Sequence, residues 1–268
     1  MKRITSNFKR FSVVLICTLG ALSAFGWGRV GHDAVSYIAE CHLTPTAKAN
    51  IEKYLDGESI VYDSSWLDLI RATPEYKHTS SCHMYNIGAD GKYQPRTQGD
   101  AVSLLNQQIE LLRDYKNMPD SAVNVGIKMI VHVMGDLHCP SHPDFEGVNQ
   151  WFGFELNGKP MEYHKFWDYY ALETCHKWFF LEYQQQLDRF TPEQISEICK
   201  GAPEDWANET AGIVGVTYEW IKPEMKLNKQ ETNLLLLKSA RLADRQIVKA
   251  GYRLSRVLNL IFDPDWVD

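Results

Sequence analysis

The chain has 268 residues, of which 44% are hydrophobic and 12% aromatic. That is enough apolar material for a substantial core and excludes a disordered chain. A formal net charge of −6 at pH 7 excludes binding of a polyanion by bulk charge alone, so a phosphate-bearing partner has to be met by local cations such as bound divalent metals.

The first element is a leader. Lys2, Arg3, Lys9 and Arg10 accompany an apolar run from Phe11 to Phe25, and the small residues Ala24 and Gly26 close it. This is a secretory signal pattern, with cleavage expected after Gly26 and a secreted or periplasmic product covering residues 27–268. A run of about 15 apolar residues is short for a membrane span. No later run is longer, so no stable membrane association is expected after cleavage, and a monomer is expected. The leader holds no acidic residue, so its loss leaves a more acidic protein.

Helical patterns follow in order. Val30 opens one that runs to Cys41, and Pro45 begins another that runs to about Leu55 before Gly57 stops it. A third surrounds Trp66 to Ala72 and ends before Pro74. Residues 78–99 are rich in Gly, Pro, Ser and Asn and read as a long loop. Ala101 to Tyr115 places Leu104, Leu105, Ile109, Leu111 and Leu112 at helical spacing. Ser121 is placed to cap the next helix, which runs to Asp136 or His138 before Pro140 and Pro143 end it. Alternation from Trp151 to Leu156 and the turn signal Asn157-Gly158 predict a short hairpin near residues 150–162. Helices resume over Tyr163–Lys177, Pro192–Cys199, Pro203–Trp220 and Glu231–Leu260. With no repeat and no linker, the expectation is one mainly helical, all-α domain.

Five cysteines follow the leader: Cys41, Cys82, Cys139, Cys175 and Cys199. Export permits disulfides, but the odd number leaves at least one thiol outside any internal bridge. No C-x-x-C pair is present, which argues against a thiolate zinc site.

The histidines stand in a pattern with acids. His132 and Asp136 are four apart on a predicted helix and share a face, and His164 and Asp168 repeat the spacing on another. His142 lies just past the first helix. Imidazole nitrogen and carboxylate oxygen are the ligands zinc takes in hydrolytic sites. One such pair alone is more often a surface ion pair. His132, however, sits in the apolar stretch Ile127 to Leu137, where an unpartnered polar group is costly, and a metal is one way to satisfy it.

Taken together, the motifs resemble the zinc-dependent single-strand-specific nucleases with 3′-nucleotidase activity found in fungi, plants and bacteria. They run Trp27-Gly28-x-x-Gly31-His32, Trp66-x-Asp68-x-x-Arg71, His83-x-x-Asn86, His132-x-x-Gly135-Asp136-x-His138-x-Pro140-x-His142, His164-x-x-Trp167-Asp168, Trp206-Ala207-x-Glu209 and Gly251-Tyr252-Arg253-Leu254. Each is modest, but their order and spacing are specific and cover nearly all of residues 27–268. The resemblance implies the mainly helical domain of the zinc-dependent phospholipase C and nuclease type, and three zinc ions. One would be held by Asp68, His83, His132 and Asp136. A second would take the Trp27 amine and carbonyl, His32 and a shared Asp136. A third would take His142, His164 and Asp168. A carboxylate shared by two cations lets them sit close and lower the pKa of a water between them. Asp68, Arg71 and Asp136 would be catalytic, with Arg71 neutralising phosphoryl oxygens as a guanidinium fork can. Asn86 and Asn149 would touch the substrate, and the implied substrates are single-stranded DNA or RNA and 3′-nucleotides. His138 would support the ligands from behind, leaving His42, His78 and His176 as surface or core residues.

The chain departs from the family pattern in one loop. Where the family has Gly-Gly-Asn, it has Gly147-Val148-Asn149, and a side chain at the second position restricts the approach of a base. Two other readings remain in view. A zinc-dependent phospholipase C has a similar cluster, but the short Trp27-to-His32 spacing and the His164-x-x-x-Asp168 pair follow the nuclease pattern. A secreted zinc-binding protein without turnover would keep the ligands and lose the substrate loop.

Overall fold

A computed structural model describes residues 27–267; the predicted leader, 1–26, lies outside them. Twelve α-helices and six short strands make up the described residues, as the helical reading requires. The helices α1 (Arg29–Cys41), α2 (Pro45–Tyr54), α3 (Trp66–Ile70), α4 (Ala101–Leu112) and α5 (Asp120–His138) form the first half. Local chemistry starts several of them. Thr44 accepts a hydrogen bond from Ala47 N with Pro45 in the first turn, and Asp100 and Ser103 cap α4 reciprocally. Pro119, not Ser121, precedes α5, and Ser121 lies inside the helix. Proline suits that entry because the first helical turn does not need its missing N–H.

The second half holds α6 (Tyr163–Lys165), a π-helical turn over Phe166–Tyr170, α7 (Ala171–Cys175), α8 (Phe180–Leu187), α9 (Pro192–Cys199), α10 (Pro203–Val214), α11 (Thr217–Trp220) and α12 (Lys229–Phe262). The sequence pattern gave no sign of α8, which is short and largely exposed. It also ran α10 and α11 together, although the chain breaks around Gly215. Asn228 and Glu231 form a reciprocal cap at the start of α12, and that long helix packs along α1 and α5. Gly251 makes the α1 crossing close: a Cβ there would lie 2.6 Å from Ile38 Cγ2.

The hairpin is present as β4 (Gly153–Leu156) and β5 (Lys159–Glu162), with both turn residues, Asn157 and Gly158, at positive φ. The pair gains β6 (Lys226–Leu227) in parallel to β4. Trp151 stands outside the strand in which the alternation placed it. The region read as a loop, 78–99, is more ordered than expected. A 3₁₀ turn over Lys77–Ser81 leads into β1 (Tyr85–Ile87) and β2 (Tyr93–Gln94), and β1 pairs in parallel with β3 (Pro143–Phe145). That register ties the segment after His83 to the segment after His142. A three-residue strand carries no periodicity to read, because its partners lie far away in sequence.

All five cysteines among the described residues are free thiols. No described helix is long and apolar enough to cross a membrane.

Candidate metal centre

The centre is built on α5. Its middle is buried all round, from Ile127 through His138 except Lys128, so His132 and Asp136 are carried wholly inside the protein. Their shared face is realised: His132 Nε2 lies 3.1 Å from Asp136 Oδ2. The Ser64 carbonyl is 2.9 Å from His132 Nδ1. A proton on Nδ1 donated to that carbonyl leaves Nε2 as the liganding atom.

Other elements bring the remaining groups to the same carboxylate. His83, just before β1, sets Nδ1 2.8 Å from Asp136 Oδ2. His32, on α1, lies 3.5 Å from Asp136 Oδ1, and its ring stacks on His132 at 4.1 Å. His142 Nδ1 stands 3.4 Å from Asp136 Oδ1. Asp68, on α3, lies 3.8 Å from His132 Nε2 and 3.7 Å from His83 Nδ1. Gly135 lets α1 come this close, because a Cβ there would sit 2.7 Å from His32 Nδ1.

His164 and Asp168 keep their predicted spacing, at 3.4 Å, but across a junction rather than on one regular helix: His164 lies in α6 and Asp168 on the π-helical turn that follows it. Such turns widen a helix locally and recur at functional sites. The Asp168 carbonyl accepts the Gly28 N–H at 2.5 Å, which ties the residues beside Trp27 to this part of the centre. Trp27 itself is fully buried and lies against Gly31 and Gly135.

The electrostatics are those of buried, closely packed acids and imidazoles. Burial pushes the Asp136 carboxyl up, but His132 and His142 outweigh it and hold it well below the usual range. Burial alone would lower His132; the facing carboxylates Asp136 and Asp68 lift it to about 9. Burial lowers His142 to about 4 and lowers His32, with His132 adding to the effect. Burial raises Asp168 well above the usual range, which the Ser141 hydrogen bond only partly offsets. Several buried atoms make no hydrogen bond: both ring nitrogens of His32, His83 Nε2, His142 Nδ1, Asp68 Oδ1 and Asp136 Oδ1. Buried polar atoms without partners are destabilising. Those of His32, Asp68, Asp136 and His142 lie beside one another's side chains or those of His83 and His132, which fits metal ions as the missing partners. The ligand atoms of His32, Asp68 and His132, of His83, His132 and Asp136, and of Cys139, His142 and Asp168 lie within 4.8 Å of one another in each group.

Three groups near Asp168 and His138 were not legible in the sequence. Ser141 Oγ donates to Asp168 Oδ1 at 2.7 Å, and Cys139 Sγ lies 3.8 Å from the same oxygen. Arg253, from α12, donates to His138 Nε2 at 2.8 Å, while His138 Nδ1 meets the Met134 carbonyl at 2.8 Å. Arg253 also pairs with Glu209. His138 thus fastens the end of α5 to α10 and α12 and touches no ligand. His42 and His176 pair with Asp188 and Asp244 away from the centre, and His78 is exposed.

Arg71 stands at the end of α3 with Nε 3.8 Å from Asp68 Oδ1. With His83, Met84, His142, Trp151 and His164 it lines a cleft of about 370 Å³. A neighbouring cleft of about 570 Å³ takes in both predicted substrate-binding residues, Asn86 and Asn149. Each amide oxygen has a partner there. Asn86 Oδ1 accepts from Arg96 Nε at 2.5 Å, and Asn149 Oδ1 accepts from Trp151 N at 3.0 Å.

A mainly helical fold enclosing a buried cluster of histidines and carboxylates at the foot of an open cleft defines a helical protein with a multinuclear candidate metal centre. The S1/P1 Nuclease family model matches residues 27–263, and the chain belongs to that family. It is similar to Nuclease S1 of Aspergillus oryzae, 24% identical over 54% of this chain and 54% of the relative, so the match spans about half the length of that protein. Endonuclease 3 of Arabidopsis thaliana is 24% identical over 73% of this chain and 69% of its own length. Nuclease P1 of Penicillium citrinum is 24% identical over 88% of this chain and 97% of its own length.

Proposed function

We propose that this chain is a zinc-dependent phosphoesterase that holds three zinc ions and cleaves single-stranded DNA or RNA and 3′-nucleotides outside the cytoplasm. The observation that carries the reading is the set of unpartnered, buried atoms of His32, Asp68, Asp136 and His142, gathered with His83 and His132 beneath a cleft that also holds Arg71. Asp68, His83, His132 and Asp136 would hold one ion, Trp27, His32 and Asp136 a second, and His142, His164 and Asp168 a third. Zinc in such a set supplies Lewis acidity and a water of lowered pKa.

The protein's own groups do the rest. Asp136, pressed between imidazoles and fully buried, keeps its charge and joins two ion sites. Ser64 fixes the His132 tautomer, and Ser141 fixes one oxygen of Asp168, so the ligands need little rearrangement on binding. Arg71 offers a guanidinium at the cleft wall to non-bridging phosphoryl oxygens, with Asp68 orienting it from below.

A turnover screen of zinc-loaded protein beginning at Trp27 tests the reading. Single-stranded DNA, RNA, 3′-AMP and phosphatidylcholine are the four arms. Hydrolysis of the nucleic acid and 3′-AMP arms is expected. Hydrolysis of phosphatidylcholine alone would make the protein a phospholipase, and three bound zincs with no turnover on any arm would make it a binding protein.

A further inference from the structure

Among the described residues Trp151 is the one tryptophan whose side chain is exposed, at 55%. An indole left in water forgoes a large burial gain, so its position calls for a reason. One face of the ring lies on His164, with centroids 4.6 Å apart and planes 19° from parallel. His164 is itself buried and stacked on His142 at 5.3 Å. The result is a column of three rings that begins at candidate metal ligands and ends in an open aromatic face. Trp151 lines the same cleft as Arg71 and His83.

The loop holds the ring in place. Asn149 Oδ1 takes the Trp151 N–H, Val148 N donates to the Phe145 carbonyl at 3.0 Å, and the neighbouring Gln150 is 1% exposed. The two amides that the sequence offered for reading a base edge already have their oxygens engaged, that of Asn86 by Arg96 and that of Asn149 by the Trp151 backbone. The cleft beside Arg71, which neither asparagine lines, offers a planar ring the indole of Trp151.

We propose that Trp151 is a stacking platform for the nucleobase next to the scissile phosphate, so that bases are gripped by their faces rather than sorted by their edges. This rests on the nuclease reading above. Stacking on an aromatic side chain tolerates any base, because every base has a π face. A base that continues the column would set its own phosphate near Arg71 and the buried ligands.

The test compares wild type, Trp151→Ala and Trp151→Phe on a dinucleotide and on the same phosphodiester lacking its bases. Trp151→Ala should raise KM on the dinucleotide about ten-fold, leave kcat nearly unchanged, and leave the abasic substrate unaffected; Trp151→Phe should recover most of the loss. Calorimetric binding of an uncleaved phosphorodithioate dinucleotide, with and without bases, gives the same comparison without turnover. A wild type inactive on every phosphoester would sink the nuclease reading, while that binding comparison would still decide the platform. Equal losses with and without bases would overturn the proposal. So would loss of zinc in Trp151→Ala and Trp151→Phe alike, since the ring would then be a support for His164.

Discussion

Asp136 is the residue on which the centre turns. It is wholly buried, and four imidazoles, from His32, His83, His132 and His142, come within 3.5 Å of it. Both of its oxygens face candidate ligand atoms, which is the arrangement a carboxylate shared by two ions needs. Replacing Asp136 with Asn keeps the shape and removes the charge. The expected outcome is loss of more than one zinc per chain, read by elemental analysis, with activity down at least about 10²-fold, as for removal of a group that stabilises developing charge. A variant that retains three zincs would remove the shared-carboxylate arrangement.

Among the elements, the crossing of α1 over α5 depends on the absence of a side chain at Gly135. Gly135→Ala would drive a methyl into His32 Nδ1, 2.7 Å away. Overpacking of this kind costs about 1–3 kcal/mol, and here the atom displaced is a candidate ligand. Lowered thermal stability is expected together with loss of one zinc, whereas Gly212→Ala, which meets nothing within 4 Å, should do neither.

A second joint lies between α8 and the α1–α12 pair. Tyr252 donates to Asp188 at 2.6 Å, and His42 reaches the same carboxylate at 2.9 Å. Burial pushes Asp188 up, but hydrogen bonds from Tyr252, Gln184 and His42 outweigh it and hold the group below its ordinary value of 3.8. A carboxyl depressed on folding stabilises the native state above its unfolded pKa, and that contribution is lost as pH falls through the folded value. Asp188→Asn should therefore lower stability by about 2 kcal/mol at neutral pH. Its difference from wild type should shrink as pH falls below 3.8. Denaturant unfolding at neutral and acid pH measures both.

On the scale of the whole molecule, the first of the described residues and the centre are one structure. Trp27 is buried against α1 and α5, and Gly28 N is bonded to the carbonyl of Asp168. A free amine at Trp27 exists only if the chain is cut after Gly26, and an amide nitrogen is a very poor zinc ligand. Protein beginning at Trp27 is expected to carry one more zinc than protein with two residues added before it. The extended form should keep its helical content, by circular dichroism, and lose most of its turnover. Equal zinc and equal activity in the two forms would remove the Trp27 amine from the ligand set.

Periodicity and spacing were enough to read the helical class, the hairpin at Asn157-Gly158 and the pairs His132–Asp136 and His164–Asp168, because each depends on residues within a few positions of one another. A family resemblance in the ordered motifs implied the remaining candidate ligands. The π-helical turn under Asp168, the parallel pairing of β1 with β3, and α8 were not legible, since each is short and held by partners distant in sequence. The same limit hid Ser141 beneath Asp168, Arg253 on His138 and Trp151 on His164. Their roles come from contacts across the fold, and only tertiary packing decides which of many serines, arginines and tryptophans lands against a ligand. It also decided that Asn86 and Asn149 spend their oxygens on Arg96 and on the Trp151 backbone, for a side chain's hydrogen-bond partners are set by what the folded chain brings within about 3 Å of it.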